Sequence, residues 1–360
     1  MVGEAIDAPA LVLHDVGQLM RPELQVRLRQ VARSEQDDVA QRDRVGVPVG
    51  ECQGRQGQRG AGADGVAAAL QHGEADHALA LLSGLPPADA GSAQAHNLRC
   101  RVYYTLEQFS AAVSECEQAV RLDGNNSNYR LWLARAVGES ASRASLLSAY
   151  GMAKRARSEF EQAVALDPRN AAALADLGEF YASAPGMVGG GIDKAQGVVA
   201  KLEQVDMVRA HELRARIAYQ NKDFSTAEQE YRKAIAASAH PASQWMGLAS
   251  FFRKRERWDE MTAAVTSGKA AADKDPGAAV ALFDGANVLV GAGRNLDLAA
   301  RLLDAYLAGP VKTEEAPAFV AHVLRARVAD KLGDKAKAKQ QRDAALALAS
   351  QYKPALDLKF

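Results

Sequence analysis

Histidine and cysteine carry the most reactive side chains in this sequence, and their spacing limits the chemistry open to them. The seven histidines are scattered along 360 residues, and the closest two, His72 and His77, lie five positions apart in HGEADH. On one helix their rings would point about 140° apart. Zinc-protease helices instead place two histidines four positions apart, with a glutamate next to the first. We therefore expect no metal site.

The three cysteines are Cys52, Cys100 and Cys116, an odd number at spacings that match no zinc pattern. Cys100 and Cys116 fall on the apolar faces of two adjacent predicted helices, where cysteine serves as a small packing group. Facing helices can also bring two cysteines close enough for a disulfide, provided that the protein meets an oxidising compartment. Both interpretations stay open at this stage.

A glycine-rich segment, SAPGMVGGGIDKA, spans residues 183–195. A phosphate-binding loop needs glycine followed directly by lysine and then serine or threonine, after a strand. Here Ile192 and Asp193 follow the last glycine, and no strand precedes it. We predict a structural turn or the lip of a binding surface, and the alternative is an anion nest of backbone N–H groups. The glycines concerned are Gly186, Gly189, Gly190 and Gly191.

Other catalytic patterns are also missing from the sequence. It contains no GxSxG segment, and no candidate nucleophile is paired with a base. The sequence therefore predicts a protein that is not an enzyme and needs no cofactor.

Composition limits the possible partners. The formal net charge is +0 with 24% charged residues, so no bulk attraction to nucleic acid is expected. Apolar residues make up 48% of the chain but aromatic residues only 6%. No apolar run approaches the roughly 18 to 20 residues that cross a bilayer, so we predict no membrane insertion. The oligomeric state is not predicted.

Two helices joined by a sharp turn are predicted between Ala156 and Tyr181. In the first half, Phe160 and Ala163 share one face with Ala156, and Asp167-Pro168 stops the helix. The second half again places apolar residues on one face. Two amphipathic helices so joined lie antiparallel and leave a stripe that another hairpin must cover.

The pattern recurs along the chain. Each unit has an anchor, usually alanine, with apolar or small residues four and seven positions later. Two of the intervals are 34 residues, while one early interval is ten residues longer and the next is five longer. The first insertion contains no proline, so we expect it to lengthen helices, and the second contains the glycine-rich segment. The anchors are Ala78, Ala112, Ala156, Ala195, Ala227, Met261, Ala300 and Ala338.

These residues resemble the tetratricopeptide repeat (TPR) family, in its bacterial form. Its signature is a bulky residue, Leu-Gly and Tyr in the first helix, then small and aromatic residues and a proline in and after the second. The first-helix set is matched at 174–181 and the second-helix set at 156–168, and both sets recur at 227–252. The resemblance implies an all-α, right-handed superhelix of about seven to eight hairpins. It spans residues 62–272, most clearly 99–272, with degenerate repeats and a cap over 273–360.

In that family the concave groove is lined by first-helix residues that point away from the packing face. Because arginine dominates these positions here, the resemblance implies a groove for carboxylate-bearing or otherwise anionic peptide segments. An ordinary solvated face is the alternative. The positions carried over are Arg101, Tyr104, Arg135, Glu179, Arg209, Glu212, Arg216, Tyr219 and Arg253.

Residues 1–61 differ in composition from the rest. They contain no lysine and no aromatic residue and end in a glycine-rich run. We predict a disordered segment, or one that is not translated in the natural protein if the start codon is misassigned. The sequence as written has no secretory signal, which favours a cytoplasmic location, and a different start could instead supply a periplasmic signal.

These features together predict a scaffold or adaptor that binds a protein or peptide segment in the concave groove. The alternative is a periplasmic accessory protein of a solute-transport or envelope-assembly system.

Overall fold

The computed structural model describes residues 57–360, which form eight helical hairpins with short turns inside each hairpin. Hairpins one to four are α1 (Gly57–His72) with α2 (Ala75–Ser83), then after the short α3 (Pro87–Ala90) α4 (Ala93–Thr105) with α5 (Phe109–Leu122), α6 (Ser127–Arg143) with α7 (Leu146–Leu166), and α8 (Ala171–Ser183) with α9 (Ile192–Leu202). Hairpins five to eight are α10 (Met207–Gln220) with α11 (Phe224–Ala237), α12 (Ala242–Lys254) with α13 (Trp258–Ala272), α14 (Val280–Ala292) with α15 (Leu296–Ala308), and α16 (Ala318–Lys331) with α17 (Lys335–Leu348), followed by α18 (Lys353–Leu356).

The predicted anchors explain why the helices pair. All eight lie in the second helix of a hairpin, and all are buried. Seven of them are alanine, which keeps the two helix axes close and fills the space between them without large side chains. The prediction of an all-α array of TPR-like hairpins is confirmed.

Six of the eight hairpins turn in the same way. The first or second residue after each of these first helices has positive φ and donates to the carbonyl three positions back, and the next residue donates to the carbonyl five positions back. This is the Schellman arrangement that satisfies the last carbonyls of a helix. The positive-φ residues are Gly73, Glu107, Lys222, Glu256, Gly293 and Gly333.

The two remaining hairpins carry the two predicted insertions. In the third, the extra residues lengthen the helices, so that α6 has 17 residues and α7 has 21. In the fourth, the glycine-rich segment forms a short 3-10 helix, Gly186–Val188, between α8 and α9.

The second hairpin is cross-linked. Cys100 on α4 and Cys116 on α5 form a disulfide, with their Cα atoms 5.2 Å apart, and both side chains are fully buried. Of the two interpretations of these cysteines, the structure has the disulfide and not two free thiols.

The two ends of the array meet. One hydrophobic core joins residues of α1, α2 and α4 to residues of α10 through α18. The backbone N–H of Ser350 donates to the Asp76 carboxylate over 2.8 Å, and the Tyr352 hydroxyl donates to Glu107 over 3.0 Å. Hairpin one thus packs against hairpin eight, and the array closes on itself instead of remaining an open solenoid.

The domain prediction concerned more of the chain than the structure describes. Residues 1–56 lie outside the described residues, so the prediction of disorder there is untested. Residues 57–61, assigned to the same segment, form the first turn of α1.

The packing of hairpin one against hairpin eight can be tested at Gly73. A Cβ atom there would meet the backbone of Pro317 and Ala318 at the start of α16, whereas a Cβ at Gly333, in the same kind of turn, would meet nothing. Gly333→Ala should cost about 1 kcal/mol, because alanine disfavours positive φ. Gly73→Ala should lower the free energy of unfolding by a further ~1–3 kcal/mol, because the backbone of Pro317 and Ala318 must also move away from the new Cβ atom. Equal losses in urea denaturation of the two variants would show that the ends are not packed together.

Candidate functional site

The nine residues predicted to line the groove all lie on first helices, namely α4, α6, α8, α10 and α12. None of them is exposed. Arg135, Arg209 and Arg216 retain only 1%, 8% and 2% of their accessible surface. The face of the first helices that was expected to be a solvated groove is therefore largely filled by the chain itself.

Polar contacts connect successive first helices across this face. The Arg135 Nε atom on α6 donates to Asp176 on α8 over 2.7 Å, and both side chains are buried. Arg216 on α10 pairs with Glu179 on α8, and the Gln244 amide on α12 donates to Glu212 on α10 over 3.4 Å. A buried charge is costly unless it is paired, so Asp176 and Glu179 compensate the arginines of the two neighbouring hairpins. Asp176, which the sequence did not single out, is part of this set.

Burial acts directly on Asp176. It raises the pKa of this carboxyl, while the charge and the hydrogen bond of Arg135 oppose the rise. Removing either partner would leave the other charge buried without its compensation, which typically costs 3–5 kcal/mol. The pair therefore belongs to the folded core of the concave face and is a poor candidate for direct partner binding.

An aromatic side chain separates two of the arginines. The Arg135 guanidinium lies 4.7 Å from the centre of the Trp132 ring, and the Arg101 guanidinium lies 5.3 Å from it. The Tyr104 ring meets Trp132 edge-on at 5.5 Å. Stacking of this kind orients a guanidinium while leaving its N–H groups free to bind a carboxylate in plane.

The other predicted residues have local roles. Arg209 pairs with Asp206 over 2.9 Å, and the same aspartate caps the start of α10. The Tyr219 ring packs against Phe224 and Phe251. Arg253, near the end of α12, extends towards Gly291 on α14 and stays partly exposed.

A loop far along the chain, residues 309–317, also reaches this face. Residues 309–317 connect α15 to α16 and make a tight turn in which Thr313 and Ala316 pair as an isolated antiparallel bridge. The buried Tyr306 hydroxyl donates to the Ala316 carbonyl over 2.5 Å. Glu314 of this loop binds Arg101 with both carboxylate oxygens, at 2.5 to 3.2 Å. The signal in the sequence was Glu-Glu between two prolines, opposite an arginine-rich face that needs carboxylates.

The second glutamate of the loop lies in the same surroundings. Burial and the charge of Glu314 raise the pKa of Glu315 to about 7, and the more distant charge of Arg135 opposes the rise. The carboxyl is thus neutral in mildly acidic solution and becomes charged near neutrality.

This shift gives a prediction for Glu315→Gln. The unfolded carboxyl has a pKa near 4.5, so the folded chain holds the proton more strongly, and stability falls as pH rises from about 4.5 to about 7. The neutral glutamine should therefore add less than about 1 kcal/mol to the free energy of unfolding at pH 5 and roughly 1–3 kcal/mol at pH 8.

The measurement is urea denaturation of both proteins at the two pH values. Glu117→Gln, on the outer surface, controls for the loss of one negative charge. A gain from Glu315→Gln that is the same at pH 5 and pH 8 would contradict the assignment.

The glycine-rich segment forms a closed turn. The N–H groups of Val188, Gly189, Gly190 and Gly191 all donate to backbone carbonyls of residues 181–186. Lys194 donates to the Gly189 carbonyl over 2.9 Å. These bonds occupy the N–H groups that an anion nest would need, so the geometry favours the structural turn. Gly189 has a φ of +96°, which explains glycine at that position.

Three histidines occupy equivalent places in their hairpins. His96 binds Glu115 at 2.6 Å, His211 binds Glu230 at 2.7 Å and His322 binds Gln341 at 2.7 Å, each pair being 19 positions apart. Each bond ties the first helix of its hairpin to the second. In the sequence these histidines look scattered, because their partners lie 19 positions away and are recognisable only once the two helices of each hairpin face each other.

His72 and His77 are the two histidines considered for metal binding. They lie on different helices, α1 and α2. Within residues 57–360 no group of three or more His, Cys, Asp or Glu side chains could hold a metal ion. No helix in that part of the chain has the length and apolar character needed to cross a membrane.

The start of α7, in the lengthened hairpin, exposes apolar side chains. Leu146, Leu147 and Tyr150 are 48%, 92% and 39% exposed. They lie within about one helical turn of each other. We call these three residues the α7 tip, a second candidate contact surface away from the first-helix face.

Comparison with known proteins gives likenesses of structure only. No family model and no curated protein matches the chain. Among solved structures, the C-terminal part of a TPR repeat-containing protein from Cytophaga hutchinsonii is 16% identical, with a TM-score of 0.39 over 83% of this chain and 100% of that one. A tetratricopeptide repeat protein from Parabacteroides merdae is 13% identical, with a TM-score of 0.40 over 84% and 100%. Pseudomonas aeruginosa pilF is 15% identical, with a TM-score of 0.35 over 72% and 95%.

At such identities and TM-scores the fold assignment rests on the hairpins of this chain. Eight stacked hairpins, buried small anchors in every second helix and a recurring turn are all present in residues 57–360. The chain is a helical-repeat protein of the TPR-like type.

Proposed function

We propose that this helical-repeat scaffold is not an enzyme and that it binds an acidic protein or peptide segment along the face of its first helices. One observation carries the proposal: an irregular peptide segment, residues 309–317, already lies on that face and is bound there through a carboxylate. An arginine that accepts one carboxylate in a bidentate pair has the geometry to accept another.

The mechanism is rigid display. The stacked hairpins hold arginine and aromatic side chains at fixed separations, so a partner segment loses its own flexibility on binding while the scaffold loses little. The partly exposed residues at the ends of the first helices, such as Arg101 and Arg253, are the accessible contacts. The buried pairs between helices keep that surface in place.

The test uses a fluorescent peptide of about ten residues with alternating alanine and glutamate, and the same peptide with glutamine. Arg253→Gln should weaken binding of the glutamate peptide at least about tenfold, because a charge-assisted hydrogen bond is worth roughly 1.5–3 kcal/mol. The matched control is Arg232→Gln, which removes an arginine that is 55% exposed on the second helix α11. Fluorescence anisotropy at low and high salt reads out both.

Two outcomes would contradict the proposal. Equal binding of the glutamate and glutamine peptides would show that the negative charge of the peptide does not contribute to binding. Loss of binding on Leu147→Ala, with Arg253→Gln unaffected, would place the partner at the α7 tip instead.

A second candidate is a periplasmic accessory protein of a solute-transport or envelope-assembly system. The Cys100–Cys116 disulfide favours it, because disulfides persist in oxidising compartments and are rare in the cytosol.

Thiol labelling decides between the two compartments. If the protein is periplasmic, iodoacetamide should label neither Cys100 nor Cys116 until a reductant is added, when acid-quenched source cells are dissolved in denaturant at about pH 8 and the peptides are read out by mass spectrometry. Labelling of both cysteines without reductant would indicate a reducing compartment and count against this candidate.

A further inference from the structure

The loop 309–317 contacts a helix that is far from it in sequence. Glu314 and Arg101 are separated by 213 positions, and their contact joins the last hairpin to the second. The side chain of Glu314 is 9% exposed and that of Arg101 is 24% exposed. The carboxylate is thus seated in the face, while the guanidinium remains reachable from solvent.

The Arg101 side of the contact is preorganised. Arg101 lies over the Trp132 ring, and Trp132 also contacts the Arg135 guanidinium and meets the Tyr104 ring edge-on. These contacts do not involve the loop, so the guanidinium keeps its orientation whether or not Glu314 is present.

On the other side of the contact, the loop 309–317 is held by hydrogen bonds to Tyr306 and by a bond within the loop itself. The Tyr306 hydroxyl donates to the Ala316 carbonyl and accepts from the Thr313 N–H, and Lys312 donates to the Gly309 carbonyl. The loop has no helix and only one isolated bridge. Because Lys312, Thr313 and Ala316 are buried, opening the loop costs free energy, and this cost sets how strongly the loop competes with a partner.

We propose that Arg101, backed by Trp132, is a binding site for a carboxylate of an acidic partner segment, and that Glu314 is its intramolecular occupant, which the partner displaces. This inference rests on the proposed function and adds that the partner carboxylate replaces Glu314 at Arg101. The loop acts as a tethered competitor: its effective concentration is of the order of mM, and a partner binds only the fraction of molecules in which the loop is open.

The experiment uses the full chain and a fluorescent peptide with the sequence of residues 309–317, GPVKTEEAP. Glu314→Gln should bind this peptide at least about tenfold more tightly than the wild type, because the competitor is weakened. A peptide with glutamine in place of the first glutamate should bind neither protein. Adding Arg101→Gln to Glu314→Gln should abolish the gain.

Glu315→Gln is the matched control, since it makes the same chemical change one position along without touching Arg101. It should give no comparable gain. The proposal is overturned if Glu314→Gln binds the peptide no better than the wild type, or if the gain survives Arg101→Gln.

A second measurement keeps the test valid if Glu314→Gln unfolds. In the wild type, a saturating amount of the peptide should raise hydrogen exchange at Thr313 and Ala316, because the displaced loop loses the bond from the Thr313 amide to the Tyr306 hydroxyl and the bond from the Ala316 amide to the Thr313 carbonyl. Unchanged exchange at both amides with the peptide bound would overturn the displacement. In either case, binding of the alternating glutamate peptide that depends on Arg253 would leave the proposed function standing.

Discussion

Close packing of the two helices in each hairpin is the constraint on which the rest of this structure depends. Alanine at seven of the eight anchors removes the bulk that would hold the helix axes apart. With few aromatic residues in the chain, stability must come from many small, close contacts between helices. Each hairpin still has an uncovered stripe, and stacking on its neighbours buries that stripe.

Stacking in turn decides the character of the first-helix face. Successive first helices lie beside one another, so arginines that would be solvated on a single hairpin become buried between hairpins. Arg135 and Arg216 are therefore bound to the carboxylates of α8, because an unpaired charge at such depth is too costly to keep. These residues maintain the spacing of the face, and the partly exposed residues at its edge remain for binding.

Closure of the array has a separate consequence. Contacts of Gly73, Asp76 and Glu107 with the last hairpin bring the loop 309–317 opposite α4. In an open solenoid of the same hairpins, Glu314 could not reach Arg101. The same closure that buries the ends thus supplies the acidic segment that occupies the arginine-rich face.

The sequence by itself determined the hairpin pattern, with about seven to eight units, the place of each anchor and the two irregular units, because helix periodicity, small anchors and prolines act over short distances. It also indicated that the first-helix arginines bind carboxylates. Only the tertiary structure decided which carboxylates these are, that Cys100 and Cys116 are joined and that the ends meet. The Arg101–Glu314 pair spans 213 positions, and no local pattern encodes such a contact. It follows from the stacking of all eight hairpins, which brings the two ends of the array together.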